Sequence, residues 1–244
     1  GFFARGYGSF QFVVMPAEGE PCLVCRDMER YYLEHTSVFQ NPHYWNDSDD
    51  KLAVAADVIR HMVGRNEQVG AELGAWQLNA ARFEAIRRTL PDLHFEDASD
   101  IVLRLRQVKS LTEIAYQRRA ARAAEAGMKA AADTARAGIS ERELAAQVCA
   151  AMIRAGSDHP GPGVLSSGER ALHLHGGYSD RVLEARDLVQ LEVTPCVRHY
   201  HARFMRPIRI GGVSDADHRL AETLLEIQDE ALAAVRPGVP ATVP

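Results

Sequence analysis

The sequence predicts an α+β fold built from two parts, and three observations support this prediction. Residues 10–95 contain short apolar segments of strand character that alternate with segments of helical periodicity, which indicates an α/β arrangement. Residues 112–155 are rich in Ala, Arg and Glu and predict two consecutive helices. Residues 188–210 predict an antiparallel pair of strands. We therefore expect an α/β part followed by a part that combines helices with an antiparallel sheet.

Local patterns define the elements of the first part. The apolar segments 10–15 and 22–25 flank turn residues at 16–20 and predict two strands. Residues 50–63 place their apolar side chains on one face and predict a helix. The remaining predicted elements are a strand at 69–73, a helix at 77–89 and a strand at 93–95. Their alternation is the basis of the α/β prediction.

Helix boundaries in the second part carry clear end signals. The helix predicted over residues 112–137 ends at Gly138, and Ser140 is placed to cap the next helix, at 141–155. The other predicted elements are a strand at 164–165, a loop at 166–177, strands at 188–193 and 197–210, and a helix from Ser214 to residue 235. The second part therefore contains one long loop between its first two strands.

Composition excludes several classes of function. The chain has 244 residues, of which 46% are hydrophobic and 25% charged, with a formal net charge of -5. Because no dense Lys/Arg block is present, we expect neither a nucleic acid nor an anionic membrane as a partner. No apolar run reaches the roughly 20 residues that span a bilayer. The first residues do not resemble a signal peptide, and since the chain does not start with Met we expect its natural N-terminus to lie upstream.

The four cysteines include one C-x-x-C pair, Cys22 and Cys25. Such a pair suits a redox centre or half of a zinc site. The surrounding apolar residues instead favour a buried strand, and no second C-x-x-C follows. Free thiols are typical of a cytoplasmic protein, which is the location that we expect.

Polar residues that could carry chemistry are concentrated between positions 157 and 206. The cluster consists of His159, His173, His175, Glu192, His199, His201, Arg203 and Arg206. His173 and His175 lie in a glycine-flanked loop, where an imidazole suits proton transfer because its pKa is close to neutral pH. Ordinary surface histidines would show the same spacing, so residue types alone leave both interpretations open.

Strand periodicity relates the other members of this cluster. Glu192 lies in an apolar strand, where a carboxylate needs a partner, and we expect that partner to be Arg206 or a histidine. Alternation over residues 197–210 places His199, His201 and Arg203 on one face. The residues therefore predict a candidate acid/base site made from a loop and a strand hairpin.

Residues 163–211 contain several motifs in a fixed order. They are Gly163-Val164-Leu165-Ser166-Ser167-Gly168, then His175 seven residues after that glycine, then Ser179-Asp180-Arg181-Val182-Leu183 and the strand after it, and finally the hairpin ending at Arg206 and Gly211. This series resembles the creatinase / aminopeptidase P / prolidase (peptidase M24) superfamily. It implies an incomplete pita-bread catalytic domain preceded by an incomplete creatinase-type α/β domain. We place the domains at residues 1–98 and 112–244, joined by a linker at 99–111, and expect further catalytic residues to lie downstream.

Two positions decide the expected cofactor. Metal-dependent members of the superfamily carry Asp at the positions of Glu192 and Arg203, and an arginine cannot ligate a cation. The sequence from Glu192 to His201 looks closest to that of metal-free members of the creatinase or ectoine-hydrolase type. We therefore expect no cofactor and no metal ligands, with a divalent metal such as manganese or cobalt as the alternative.

These features predict a hydrolase of a C–N bond in a small amidine, lactam or dipeptide-like substrate, acting without metal. We expect His175 to serve as general acid/base together with Glu192, and His173, His201 and Arg206 to bind the substrate. The resemblance also implies a homodimer. Two alternatives remain, an Xaa-Pro dipeptidase or aminopeptidase with an altered metal site, and a catalytically dead pita-bread module used for binding.

Overall fold

The structure, a computed structural model, describes residues 10–65, 67–161, 163–173, 175–240 and 242. It divides into two compact units, residues 1–110 and residues 111–244. Both units combine helices with strands, which confirms the predicted α+β class.

The described residues of unit one form five strands and four α-helices. The strands are β1 (Phe12–Val14), β2 (Cys22–Arg26), β3 (His43–Trp45), β4 (Gln68–Ala71) and β5 (His94–Asp97). The helices are α1 (Arg30–Thr36), α2 (Lys51–Val63), α3 (Ala80–Thr89) and α4 (Ser99–Gln107). Strand β2 lies between antiparallel β1 and parallel β3, and β4 pairs in parallel with β5. One face of α2 is buried, because its apolar residues recur with helical period.

Strand β2 carries the C-x-x-C pair. Leu23, Val24 and Cys25 are fully buried, which confirms the buried-strand interpretation. Burial, with a smaller contribution from Glu29, raises the pKa of the Cys25 thiol to about 12, so this thiol stays protonated and unreactive at neutral pH. All four cysteines are free thiols.

Helix α4 occupies most of the segment predicted as a linker. The carboxylate of Asp97 accepts hydrogen bonds from the backbone N–H and hydroxyl of Ser99, the first residue of the helix. Leu and Arg residues, which favour helices, continue it to Gln107. The residues predicted to join the two parts are therefore largely helical.

In unit two, the part of the chain that the structure describes forms three α-helices and five strands. The helices are α5 (Leu111–Thr134), α6 (Glu141–Arg154) and α7 (Asp215–Ala234). The strands are β6 (Val164–Ser167), β7 (Leu188–Val193), β8 (Cys196–Val197), β9 (Tyr200–His201) and β10 (Phe204–Arg209). The Ser140 and Ser214 hydroxyls accept the Glu143 and Asp217 backbone N–H groups, and both serines cap the helices as predicted.

The core of unit two lies between this sheet and the two helices that precede it. Strand β7 is central, with antiparallel β6 and β10 on its two sides. Its residues alternate between half-buried and buried, and Val189, Leu191 and Val193 pack against α5 and α6 residues such as Ala124 and Leu144. The alternate residues Leu188, Gln190 and Glu192 share the other face, as predicted.

Among the described helices, none combines the length and apolar character needed to cross a bilayer.

Candidate active site

The loop that carries the two histidines connects β6 to β7. It begins with a short 3-10 helix, Gly168–Leu172, where the sequence predicted only loop. The His173 N–H donates to the Arg170 carbonyl at 3.2 Å and closes this turn. Both His173 and His175 are exposed to solvent. An exposed imidazole can exchange protons with a substrate or with water.

The loop returns to the sheet along β6, one strand away from Glu192. The Leu165 N–H donates to the Gly176 carbonyl at 3.1 Å, so the residue after His175 lies along β6. Leu165 is paired in turn with Leu191, the neighbour of Glu192. Since adjacent strands lie about 5 Å apart, the backbone next to His175 is roughly 10 Å from β7. The structure thus places β6 between the backbone next to His175 and the strand that carries Glu192.

Glu192 forms an ion pair with Arg203. The Nε and Nη2 atoms of Arg203 lie 2.9 Å and 3.0 Å from the two carboxylate oxygens, a bidentate arrangement. The Glu192 side chain is 10% exposed and that of Arg203 is 63% exposed. The carboxylate is therefore neutralised from its solvent side.

The prediction that Glu192 pairs with Arg206 or with a histidine is wrong. Across the β7–β10 pair Glu192 is opposite Met205, whereas Arg206 is opposite Leu191. Paired residues share a face of the sheet, so Arg206 lies on the face opposite to Glu192. Arg206 instead donates to the Met205 carbonyl, and its guanidinium lies 5.9 Å from the ring centre of Phe204.

The predicted strand over 197–210 is interrupted by a tight turn. Strands β8 and β9 form a two-residue hairpin whose central residues, Arg198 and His199, have φ angles of 52° and 63°. Because this turn breaks the two-residue alternation, the predicted common face of His199, His201 and Arg203 is wrong. His201 lies in β9 with its Nδ1 3.2 Å from the Thr194 carbonyl, and Arg203 follows between β9 and β10.

Contacts with α5 hold this hairpin. The Tyr200 hydroxyl donates to Glu113 at 2.8 Å, and the Tyr200 ring stacks on Tyr116 at 5.7 Å. The Arg198 N–H donates to the Asp158 carboxylate at 2.6 Å. The hairpin is therefore fixed to the helix that opens unit two.

Two glycines, Gly161 and Gly163, lie directly against β7 and against Thr194, the residue that follows it. A Cβ at Gly163, where φ is 37°, would lie 2.4 Å from the Glu192 carbonyl oxygen. A Cβ at Gly161, where φ is 78°, would lie 2.2 Å from the Thr194 hydroxyl. Both positions need glycine because any side chain would displace the strand that carries Glu192.

The structure adds a buried carboxylate that sequence reasoning missed. Glu141 is 0% exposed and accepts hydrogen bonds from Ser167, Arg170 and Ser179. Its position directly after the cap Ser140 is typical of an ordinary first-turn glutamate. The residues that bind it come from the histidine loop and its flanks, so no local pattern could have revealed the contact.

Comparison with known proteins identifies the family. A family model described as metallopeptidase family M24 matches residues 115–243, more than half of the chain. The chain belongs to this family. The predicted membership of the creatinase / aminopeptidase P / prolidase superfamily, and with it the pita-bread fold of unit two, is confirmed.

Two relatives are similar in sequence over most of this chain. An uncharacterised hydrolase/peptidase of Sinorhizobium fredii is 30% identical over 214 residues, which cover 85% of this chain and 55% of the relative. An Xaa-Pro dipeptidase of Pyrococcus furiosus is 28% identical over 186 residues, which cover 76% of this chain and 53% of the relative. The chain thus spans little more than half the length of these relatives.

Solved structures agree on the fold. A prolidase of Thermococcus sibiricus superimposes with a TM-score of 0.85 at 22% identity, covering 98% of this chain and 65% of that structure. A prolidase of Pyrococcus furiosus superimposes with a TM-score of 0.77 at 23% identity, covering 94% and 64%. At this level of identity the similarity concerns the fold alone.

These findings overturn the expectation of no cofactor. The family is one of metallopeptidases, and relatives that match most of the chain are named Xaa-Pro dipeptidases. The main expectation, that the protein needs no cofactor, is therefore wrong. The matches likewise favour the Xaa-Pro alternative over the creatinase or ectoine-hydrolase type.

The residues of this chain nevertheless do not fit a metal centre by themselves. Within the described ranges, no three His, Cys, Asp or Glu side chains form a group that could hold an ion. Both oxygens of Glu192 are bonded by the positive guanidinium of Arg203, which only donates hydrogen bonds. A cation at Glu192 would have to displace this arginine.

Proposed function

We propose that the protein containing this chain hydrolyses the C–N bond of a small dipeptide-like substrate, with Xaa-Pro dipeptides as the first candidates. The observation that carries the proposal is the match of family M24 over residues 115–243, the unit that holds the histidine loop. Relatives named Xaa-Pro dipeptidase support the substrate class. Family membership alone does not define a substrate, so the assignment rests on these names together with the site.

His175 is the residue that we assign to proton transfer. Cleavage of an amide C–N bond requires a proton on the leaving nitrogen, and a solvent-exposed imidazole can deliver one. Gly176 and Gly177 follow it directly, and Gly176 is hydrogen-bonded to β6, so the loop is anchored one residue away. Glu192, on the neighbouring strand, is the second group that we assign to the site.

Three further residues are proposed to contact the substrate. His201 is oriented by the contact between its Nδ1 and the Thr194 carbonyl, which in the Nδ1–H tautomer leaves Nε2 as an acceptor. His173 and Arg206 are exposed and can offer polar groups to a peptide. Since Arg206 lies on the face opposite to Glu192, we expect the smallest effect from its replacement.

The test uses the full-length protein. We would measure hydrolysis of Ala-Pro, with Ala-Leu as a control dipeptide, and determine bound metal by mass spectrometry on the same preparation. Preferential cleavage of Ala-Pro that is lost in His175→Ala supports the proposal. Absence of cleavage over a panel of dipeptides, lactams and amidines, with and without added manganese or cobalt, overturns it.

A second candidate function is a binding module without catalysis. The specific observation in its favour is the Arg203–Glu192 ion pair, which neutralises a carboxylate at the centre of the site. Retention of peptide binding with no turnover, together with no effect of His175→Ala on binding, would support this second candidate.

Assembly and location are part of the proposal. The family resemblance supports a homodimer, and light scattering coupled to size exclusion would show a mass twice that of the full-length chain. Cytoplasmic location remains a prediction from the free thiols.

A further inference from the structure

Glu141 is the most deeply buried charged residue outside the groups assigned to the reaction. Its side chain is 0% exposed and lies in the first turn of α6. Burial of a carboxylate is costly unless the charge is compensated by hydrogen bonds and an opposite charge. The groups that compensate its charge therefore identify the segments of the chain that Glu141 binds together.

Both oxygens of Glu141 are satisfied. Oε1 accepts the Ser167 hydroxyl at 2.7 Å, and Oε2 accepts the Arg170 Nη1 at 2.6 Å together with the Ser179 N–H and hydroxyl, each at 2.7 Å. Burial alone would raise the pKa of this carboxyl, but the hydrogen bonds from Ser179, Ser167 and Arg170 outweigh it and lower the pKa below the ordinary value. Glu141 is therefore an anion at neutral pH.

These partners enclose the histidine loop. Ser167 is the last residue of β6 before the loop, and Ser179 lies four residues after His175. Arg170, inside the loop, also donates its Nη2 to the Gly177 carbonyl at 2.6 Å. One buried carboxylate thus binds the loop at three points. Ser167 and Arg170 lie before His175, and Ser179 lies after it.

We propose that Glu141, acting through Arg170, is the positioning residue for His175. The Glu141–Arg170 pair fixes Gly177 and Ser179, while the Leu165 N–H fixes Gly176 from the sheet. His175 is held between these anchored points and the 3-10 turn that ends at His173. Small displacements of a proton-transfer group lower the rate steeply, so the benefit of this network is a defined position for the imidazole. The role in catalysis rests on the proposed function.

The variants are Glu141→Gln and Arg170→Met in the full-length protein. Glu141→Gln keeps the shape and removes the buried charge. Arg170→Met removes a side chain that is 43% exposed and leaves Glu141 hydrogen-bonded to Ser167 and Ser179, so we expect it to lower stability without preventing folding, and a thermal melt of each variant checks this. Glu143→Gln is the matched control for the first, because Glu143 is exposed on the same turn of α6. Arg154→Met is the control for the second, because Arg154 is an exposed arginine in the last turn of α6, at the opposite end of the helix from Glu141.

Two kinds of measurement are made on each variant. Hydrogen exchange of amides 168–179 and the NMR line width of the His175 imidazole report position without any turnover. Steady-state kinetics on Ala-Pro report how the position of His175 affects catalysis. In Glu141→Gln and Arg170→Met we expect kcat to fall about 10- to 100-fold while KM changes by less than about threefold. The controls are expected to leave the exchange, the line width, kcat and KM unchanged.

The outcomes separate the two proposals. Unchanged exchange and an unchanged His175 signal in Arg170→Met would overturn the positioning role whatever the activity. Faster exchange with an unaltered kcat would also overturn it, since Glu141 would then only stabilise the fold. A wild-type protein without hydrolysis, or a fully active His175→Ala, would refute the proposed function, while the exchange and NMR data would still decide whether Glu141 orders the loop.

Discussion

The guanidinium of Arg203 binds both carboxylate oxygens of Glu192, with Nε and Nη2 at 2.9 Å and 3.0 Å. This pair lies where the sequence of a metal-dependent relative is expected to carry two carboxylates. Substitutions can therefore test whether Arg203 prevents a cation from binding to Glu192.

Replacement of Arg203 by aspartate tests whether the arginine excludes a cation from Glu192. In Arg203→Asp two carboxylates face each other without compensation, so we expect a lower melting temperature and a recovery of several degrees on addition of manganese, because a ligand that binds only the folded state stabilises it. Differential scanning fluorimetry with and without manganese measures this.

Arg206→Asp is the control for this experiment, since Arg206 lies on the other face of the sheet. An equal manganese response in both variants would show that added surface charge is sufficient, and would refute the role assigned to Arg203.

A substitution at Gly163 tests the close contact between this residue and β7. Gly163→Ala would place a methyl group 2.4 Å from the Glu192 carbonyl at a φ of 37°, and we expect it to lower the free energy of unfolding by about 2 kcal/mol or more. Urea denaturation of the variant and the wild type gives this difference.

Gly177→Ala is the matched control, because a Cβ there meets no atom within 4 Å. We expect a change below about 1 kcal/mol at this position. Equal losses at the two glycines would contradict the packing explanation.

The turn at Arg198 and His199 offers a stabilising substitution. A hairpin turn with two positive φ angles favours glycine at its second central position, so we expect His199→Gly to raise the free energy of unfolding by about 0.5–1 kcal/mol. His201→Gly, in the adjacent strand, is expected to lower it. The two variants are compared by urea denaturation, and a loss of stability in His199→Gly would show that the imidazole contributes more than the strain costs.

Acid should destabilise unit two through Asp187. The Arg181 guanidinium, with contacts at 2.5 Å and 3.1 Å, lowers the pKa of this largely buried carboxyl below its ordinary 3.8. A group whose pKa is lower in the folded protein contributes stability above its unfolded pKa, and this contribution is lost as the pH falls through the folded pKa. We therefore expect stability to fall below about pH 4.

Asp187→Asn should lower the free energy of unfolding at neutral pH by about 1–3 kcal/mol and flatten its dependence on acid. Denaturant unfolding between about pH 2 and pH 7 measures both effects. Asp180→Asn is the control, since Asp180 is an exposed partner of Arg142. An acid transition that keeps its slope in Asp187→Asn would assign the effect to other carboxyls.

Local patterns accounted for much of the fold. Helix α6 begins after Ser140 as predicted, and β7 extends over residues 188–193 as predicted, because capping and two-residue alternation are properties of neighbouring residues in the chain. The motif from Gly163 to Gly211 likewise sufficed to indicate the family, since the matching residues are close together in sequence.

The partners of charged residues were decided only by the tertiary structure. Arg203 rather than Arg206 binds Glu192, because the register of β7 with β10 and the turn at Arg198 and His199 determine which side chains share a face. Glu141 contacts residues 26 to 38 positions away, and that contact exists only after the histidine loop has folded onto α6. Periodicity records which face of an element is buried, whereas the partner of a charge depends on distances between elements that are remote in the chain.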